Sequence, residues 1–242
     1  MSGTRRMVLV TGAGSGLGLG LARHFAAAGH DVIATDRATG GDAGLPIRPL
    51  DVTCDAAAAE VADWPVDVLV NNAGLQHVAP LEEFPQQQWD HLVDVMLGGA
   101  VRLTRACLPG MRRRGFGRIV LIGSIHSLVA SPYKSAYVAA KHALVGFSKA
   151  LALETGDVDI TINTVCPSYI RTPLVDAQIA AQAMAHGISE DEVIRKIMLE
   201  PMPKKAFITV AEVAAAIDYL VSPAARNVTG QTITIDGGWT AR

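Results

Sequence analysis

Short apolar segments alternate with longer helical patterns along the chain, and this alternation most constrains the fold. Segments this short and this uniformly apolar are typical of strands buried on both faces of a parallel sheet. The pattern therefore predicts an α/β protein, a doubly wound and mainly parallel sheet with helices on both faces. The predicted strands cover residues 7–11, 31–35, 47–50, 66–70, 118–122, 160–165 and 232–235. Helices are predicted up to Ala28, over residues 55–62 and 85–114, up to Glu154 and over residues 210–221.

The composition is that of a folded protein in a reducing compartment. Half of the 242 residues are hydrophobic and 18% are charged, which argues against disorder and fits one domain over residues 1–242. The net charge of -2 gives no sign of a nucleic-acid or membrane-surface partner. The three cysteines lack metal-ligand spacing, and no stretch approaches the roughly 18 apolar residues of a membrane span. We expect a cytoplasmic protein that holds no metal.

A glycine-rich turn follows the first predicted strand and precedes a helix. Glycines let the backbone approach an anion closely, and the free amides and dipole of a helix N-terminus favour a pyrophosphate. The spacing differs from strict G-x-G-x-x-G, and glycines also serve ordinary tight turns. The candidate contacts for a dinucleotide are Gly12, Ser15, Gly16, Leu17 and Gly18.

Acidic and small residues follow the next strands. Asp36 ends the second strand, where a carboxylate accepts hydrogen bonds from the adenosine ribose and repels a 2′-phosphate, so it favours NAD over NADP. Arg37 complicates this prediction, because an arginine can accept that phosphate. Further candidate cofactor contacts are Asp51 and Val52 beside the adenine, and Asn72, Ala73 and Gly74 after the fourth strand.

Tyr137 and Lys141 are four residues apart in a helical segment, so both side chains leave the same face of the helix. A nearby ammonium favours the phenolate and is expected to lower the pKa of Tyr137. Ser124 follows an apolar strand and is a candidate for holding the oxygen that exchanges the proton. An isolated Tyr-x-x-x-Lys spacing is usually no more than an amphipathic surface. The interpretation as a proton-transfer pair rests on the cofactor motifs, because all of them follow strand ends.

Together these motifs resemble the short-chain dehydrogenase/reductase family over essentially the whole chain. The resemblance implies a single Rossmann-like domain of about seven strands and hydride transfer between a nicotinamide and an alcohol or carbonyl. It also implies a homotetramer or dimer and the catalytic set Ser124, Tyr137 and Lys141. Tyr137 and Lys141 would also contact the cofactor, as would Pro167, Ile170 and Thr172.

Within the family, several stretches resemble the bacterial 3-hydroxybutyrate dehydrogenase subfamily, among them those around Gln76, Lys134 and Thr172. That likeness implies reversible, NAD-dependent oxidation of (R)-3-hydroxybutyrate to acetoacetate. One cation, two amides and an imidazole can replace the hydration of a small carboxylate. The implied substrate contacts are Gln76, Ser124, His126, Lys134, Tyr137, Tyr169 and Gln178.

Three residues depart from the family pattern. Met96 stands where an asparagine usually holds a water in the proton relay of the catalytic lysine, and a thioether cannot donate a hydrogen bond. Tyr169 replaces a common tryptophan beside the substrate, and Ser168 replaces a glycine after Pro167. Residues 174–205 lie between a strand end and the next helix, where a substrate lid is expected.

Two alternatives stay open from the sequence. The first is a sister enzyme for another small hydroxy acid or a 3-oxoacyl thioester; the thioester enzymes usually use NADP, against which Asp36 argues. The second is a non-catalytic, NAD-binding regulatory protein, which Met96 supports and the intact Ser124, Tyr137 and Lys141 oppose.

Overall fold

The computed structural model describes residues 5–39 and 44–241; residues 1–4, 40–43 and 242 of the predicted domain lie outside this part. Seven parallel strands form one sheet in the order β3-β2-β1-β4-β5-β6-β7. This confirms the predicted doubly wound, Rossmann-like sheet. The strands are β1 Met7–Thr11, β2 Asp31–Asp36, β3 Ile47–Pro49, β4 Val68–Asn71, β5 Phe116–Ile122, β6 Asp159–Pro167 and β7 Thr232–Ile235.

Helices cover both faces of the sheet, because successive strand residues point to opposite sides. In β1, Val8 and Val10 belong to a core with the first and last helices, whereas Leu9 belongs to a second core on the opposite face. Among the described helices, none is both long and apolar enough to cross a membrane. The helices are α1 Gly16–Ala27, α2 Asp55–Ala62, α3 Gln86–Val93, α4 Gly99–Arg114, α5 Ser135–Glu154, α6 Pro173–His186, α7 Glu190–Val193 and α8 Val210–Val221.

The helical stretch predicted over residues 85–114 is present and contains one π turn. Between α3 and α4, Asp94–Gly98 forms a π-helical turn that carries Met96. A Cβ atom on Gly99 would lie 2.7 Å from the Val52 side chain, so α4 passes very close to the chain after β3. Single π turns of this kind occur mostly inside α-helices and often beside functional sites.

The sixth strand extends further than predicted. We expected Cys166-Pro167-Ser168 to break it, but Cys166 pairs with Thr234 and Pro167 with Ile235. The prediction was wrong because a proline at the last residue of a strand removes only one amide donor from the ladder.

Residues after β6 form the segment predicted to be a lid. It contains α6, α7 and a second π turn, Ile194–Met198. These elements pack around a small apolar cluster of their own, made of Val175, Ile179, Val193 and Met198. Residue 175, near the start of α6, also lines the main cavity described below. The segment therefore borders the site.

Candidate active site

The main cavity lies beyond the carboxyl ends of β1, β4, β5 and β6 and has a volume of about 280 Å³. The strand order reverses between β1 and β4, and such a switch point is where open α/β sheets bind ligands. Most predicted site residues line this cavity: Gly12, Ser15, Gly16, Leu17, Gly18, Asp36, Asn72, Gly74, Gln76, Ser124, His126, Lys134, Tyr137, Lys141, Pro167, Tyr169, Ile170, Thr172 and Gln178.

The glycine-rich turn is tied to the loop after β4. The Thr11 hydroxyl oxygen accepts hydrogen bonds from the amides of Asn72 and Ala73, both at 3.0 Å. The Asn72 side-chain amide donates to the carbonyls of Thr11 at 2.9 Å and Gly12 at 3.1 Å. A Cβ atom on Gly18 would lie 2.1 Å from the Gly12 carbonyl oxygen. The two loops are therefore locked together at a spacing that only glycine at position 18 allows.

The N-terminus of α1 opens toward this turn. The Ser15 hydroxyl makes no capping hydrogen bond, and the first turn of the helix contains no acidic side chain. Gly12 has φ +64°, a conformation that glycine adopts freely. A close backbone and an uncapped helix N-terminus fit the pyrophosphate of a dinucleotide.

Asp36 ends β2 at the edge of the same cavity. Its carboxylate accepts hydrogen bonds from the amide of Gly14 at 2.9 Å and that of Ala38 at 3.1 Å. These contacts fix the carboxylate beside the glycine-rich turn, where the adenosine ribose of a bound dinucleotide would lie.

Three predicted cofactor residues lie away from the main cavity. Asp51 accepts hydrogen bonds from the amide and hydroxyl of Thr53, at 2.9 and 2.7 Å, and these bonds lower the pKa of Asp51. Val52 and Ala73 line a second cavity of about 10 Å³. Their contact with a cofactor stays a prediction.

Ser124 and Tyr137 meet in the main cavity. Ser124 follows β5 and caps the short helical turn Ile125–Ser127, where its hydroxyl accepts from the His126 amide at 3.2 Å. Tyr137 lies in the first turn of α5. Burial raises the pKa of Tyr137, and a hydrogen bond with Ser124 offsets part of that rise. Ser124 and Tyr137 both line the cavity, so the hydroxyl and the phenol border the same open space.

Lys141 lies one turn further along α5 and is 4% exposed. Its ammonium donates to the Ile122 carbonyl at 2.6 Å and is 5.6 Å from the centre of the Tyr137 ring. Burial lowers the pKa of Lys141 to about 8. The prediction that Lys141 lowers the pKa of Tyr137 is wrong in this arrangement, because burial of the phenol dominates and the ammonium is bound to the backbone of β5.

Lys134 places a second cation in the cavity. Its side chain is 8% exposed, and it precedes Ser135, the first residue of α5. Within residues 5–39 and 44–241, its ammonium has no ion-pair partner, and it lies 5.7 Å from the centre of the Tyr169 ring. Burial alone lowers its pKa. A buried cation without a counter-charge at a helix N-terminus is unfavourable, so an anionic ligand is the natural partner.

Polar side chains surround Lys134. Gln76 and Gln178 line the same cavity, and the Gln76 side-chain oxygen is buried without a hydrogen-bond partner in the described part of the chain. His126 is 3% exposed, and burial together with the charge of Lys134 lowers its pKa to about 4. The imidazole is therefore neutral at pH 7, so one ring nitrogen donates a hydrogen bond and the other accepts one.

Sequence reasoning missed two contacts of His126. The Ser131 hydroxyl lies 2.8 Å from His126 Nε2. The Trp239 ring packs at 6.1 Å from the imidazole and at 6.0 Å from the ring of Tyr169, measured between ring centres. The sequence signal for Trp239 was a tryptophan directly after Gly237-Gly238, where a turn can place it against the site. No feature of the sequence indicated Ser131.

The residues after β6 complete the cavity wall. Thr172 caps α6 by accepting from the Val175 amide at 3.4 Å, while the Ser168 hydroxyl donates to the Met202 sulfur at 3.3 Å. Met96 is buried and lines the second cavity, together with Lys141. The thioether and Lys141 therefore border the same small cavity.

This fold and cavity are those of a nicotinamide-dependent oxidoreductase. A family model described as enoyl-(acyl carrier protein) reductase matches residues 12–240. The chain belongs to the short-chain dehydrogenase/reductase family, whose members use a nicotinamide cofactor.

The sequences of known relatives align with nearly the whole chain. D-beta-hydroxybutyrate dehydrogenases of Rhizobium meliloti and Cupriavidus necator are each 42% identical, over 98% of this chain and 99% and 98% of theirs. Among solved structures, a variant of actinorhodin polyketide ketoreductase with NADPH is 33% identical, covers 98% of both chains and has a TM-score of 0.90.

Proposed function

We propose that this protein catalyses the reversible, NAD-dependent oxidation of (R)-3-hydroxybutyrate to acetoacetate. The observation that carries the proposal is the buried Lys134 ammonium, which has no ion-pair partner among the residues that the structure describes and lies in the cavity that also holds Ser124 and Tyr137. A hydroxyl-binding pair and a carboxylate-binding cation in one small cavity fit a short hydroxy acid. The 42% identity to D-beta-hydroxybutyrate dehydrogenases supports the same substrate.

The carboxylate is bound by four groups in this proposal. Lys134 supplies the charge, and the amides of Gln76 and Gln178 and the neutral imidazole of His126 supply hydrogen bonds. Charge-assisted hydrogen bonds are the strongest of these interactions. Tyr169 forms the wall beside Lys134. The substrate is thereby oriented with its hydroxyl toward Ser124.

Ser124 and Tyr137 handle the proton. Ser124 hydrogen-bonds the substrate oxygen, and Tyr137 as phenolate takes its proton in the oxidation direction. Because burial raises the pKa of Tyr137, the phenol keeps its proton at neutral pH. Carbonyl reduction is therefore favoured at neutral pH, and oxidation accelerates as the pH rises.

The dinucleotide is bound along the glycine-rich turn, with Asp36 on the ribose that distinguishes NAD from NADP. A nicotinamide bound there would supply the hydride acceptor for the carbinol carbon. Lys141 would hold the nicotinamide ribose, and Asn72, Pro167, Ile170 and Thr172 would complete the binding groove. The segment over residues 174–205 acts as a lid in this proposal.

We also propose a homotetramer in the cytoplasm. Cys54, Cys107 and Cys166 are free thiols, which fits a reducing compartment.

A variant of Lys134 tests the proposal. Lys134→Met removes charge-assisted hydrogen bonds worth about 1.5–3 kcal/mol, so the KM for 3-hydroxybutyrate should rise about 10- to 100-fold. The rate on a neutral secondary alcohol such as 2-butanol should not fall. Lys149→Met, on an exposed position of the same helix, is the matched control. An unchanged KM for the acid would contradict the proposal.

A 3-oxoacyl thioester reductase is the second candidate. The enoyl-(acyl carrier protein) reductase description and the polyketide ketoreductase likeness favour it. Asp36 and the buried Lys134 argue against it, because a thioester has no carboxylate at that position. Faster NADPH-dependent reduction of an acetoacetyl thioester than of acetoacetate would establish this candidate.

A further inference from the structure

Two loops that carry opposite sides of the carboxylate site are joined by one main-chain contact. Gln76 lies in the loop after β4, and Lys134 ends the loop between β5 and α5. The Ala79 amide donates a hydrogen bond to the Tyr133 carbonyl at 3.0 Å. In the described residues it is the one backbone hydrogen bond between these loops. Ala79 is three residues from Gln76, and Tyr133 directly precedes Lys134.

Tyr133 has an unusual backbone. Its φ is +66°, and Lys205 is the only other non-glycine residue with positive φ in the described part of the chain. This region is unfavourable for an aromatic residue and persists where the surroundings impose it. The Tyr133 side chain is 58% exposed. Packing of the ring therefore does not account for the backbone conformation.

The neighbour of Tyr133 needs a restraint. Lys134 is buried beside the first turn of α5, where both burial and the helix dipole disfavour a cation. A flexible lysine at a loop end would otherwise extend into solvent. The left-handed backbone at Tyr133 sets the direction in which the chain enters α5, and this determines where the Lys134 side chain leaves the backbone.

We propose that Tyr133 is a positioning residue for the carboxylate site. Its left-handed backbone and the hydrogen bond from Ala79 hold Lys134 inside the cavity and at a fixed distance from Gln76. The inference rests on the proposed function in one respect, that the ligand of Lys134 is a carboxylate.

Two substitutions at Tyr133 separate the backbone from the side chain. Glycine adopts positive φ freely, so Tyr133→Gly should keep the KM for 3-hydroxybutyrate within about twofold. A β-branched residue disfavours this region, so Tyr133→Ile should raise that KM about tenfold. The kcat, the KM for NAD and the rate on 2-butanol should change little. Leu128→Ile is the control, because Leu128 is exposed in the same loop with an ordinary φ of -126°.

Ala79→Pro removes the amide donor in the loop after β4. It is the alternative variant if Tyr133→Ile does not fold. Ala79 precedes Pro80, so its backbone is already biased toward the extended region. We expect the same rise in KM. Acetoacetate binding, followed by thermal shift with NAD present, should weaken in parallel without any turnover.

The outcomes distinguish the two proposals. A wild-type protein that neither oxidises hydroxy acids nor is stabilised by acetoacetate would overturn the proposed function. If the wild type oxidises hydroxy acids and is stabilised by acetoacetate, and if Tyr133→Ile and Ala79→Pro have the wild-type KM for 3-hydroxybutyrate, the role of Tyr133 is refuted. An equal rise in the KM for 3-hydroxybutyrate in Tyr133→Gly and Tyr133→Ile would assign the effect to the exposed ring instead of the backbone. Equal losses on the acid and on 2-butanol would show general damage and also refute the proposal.

Discussion

The phenol of Tyr137 and the ammonium of Lys141 show how far residue spacing predicts chemistry. Four residues apart on α5, both enter the cavity as the helical periodicity requires. The effect of the Lys141 charge on the pKa of Tyr137 was not predictable, because the ammonium is bound to the Ile122 carbonyl, which belongs to β5. The spacing predicted that the two side chains meet, whereas burial determines the direction in which the pKa of each group shifts.

Tyr137→Phe should strongly reduce turnover. The loss of the proton carrier is expected to lower kcat by about 10²- to 10⁴-fold, while NAD binding, followed by fluorescence titration, stays within about twofold. Tyr219→Phe, at a half-exposed position on α8, is the control and should leave kcat unchanged. Near-native turnover in Tyr137→Phe would refute the role of Tyr137.

His126 should make stability depend on pH. The pKa of His126 is about 4 in the folded protein and about 6.5 when unfolded, so only the unfolded chain takes up the proton in between. Stability contributed by the neutral imidazole is present above pH 6.5 and is lost as the pH falls toward 4. The loss is on the order of 3 kcal/mol.

Urea unfolding between pH 4 and 7 measures this effect. The pH dependence should be shallower in His126→Gln, and unchanged in His186→Gln, which alters an exposed residue of α6. Identical slopes in wild type and His126→Gln would show that the imidazole titrates normally in the folded protein.

At the scale of elements, most boundaries follow from local patterns. The bounds of β1, α2, α8 and β7 match the prediction at both ends. The continuation of β6 through Pro167 does not, because it depends on pairing with β7, which is distant in the sequence. The close passage of Gly99 past Val52 is another contact between distant parts of the chain. A local pattern carries no information about it.

Met96 lies in the π turn between α3 and α4 and borders the small cavity beside Lys141. We expect Met96→Asn to leave kcat unchanged or raise it, because an amide restores hydrogen-bonding capacity next to the lysine. Steady-state kcat measures this, with Met184→Asn at an exposed position of α6 as the control. A large loss of rate specific to Met96→Asn would mean that the thioether is required where it is.

At the scale of the whole molecule, the parallel sheet gathers residues from distant parts of the sequence. Asp36, Ser124 and Pro167 lie at the carboxyl ends of three different strands and line one cavity, as the rule for ligands at strand ends predicts. The contacts of Trp239 and Ser131 with His126 were not predicted, because they depend on how the C-terminal turn and the loop before α5 fold back. The doubly wound parallel sheet was predictable from the sequence; the side-chain contacts that support the site were not.

Initial rates with NAD and NADP across a panel of C4 hydroxy acids test the central claim most directly. We expect NADH formation from (R)-3-hydroxybutyrate, with kcat/KM for NAD at least about tenfold above that for NADP, because Asp36 repels a 2′-phosphate. A protein that binds NAD but oxidises none of these acids, or that works faster with NADP, would contradict this account.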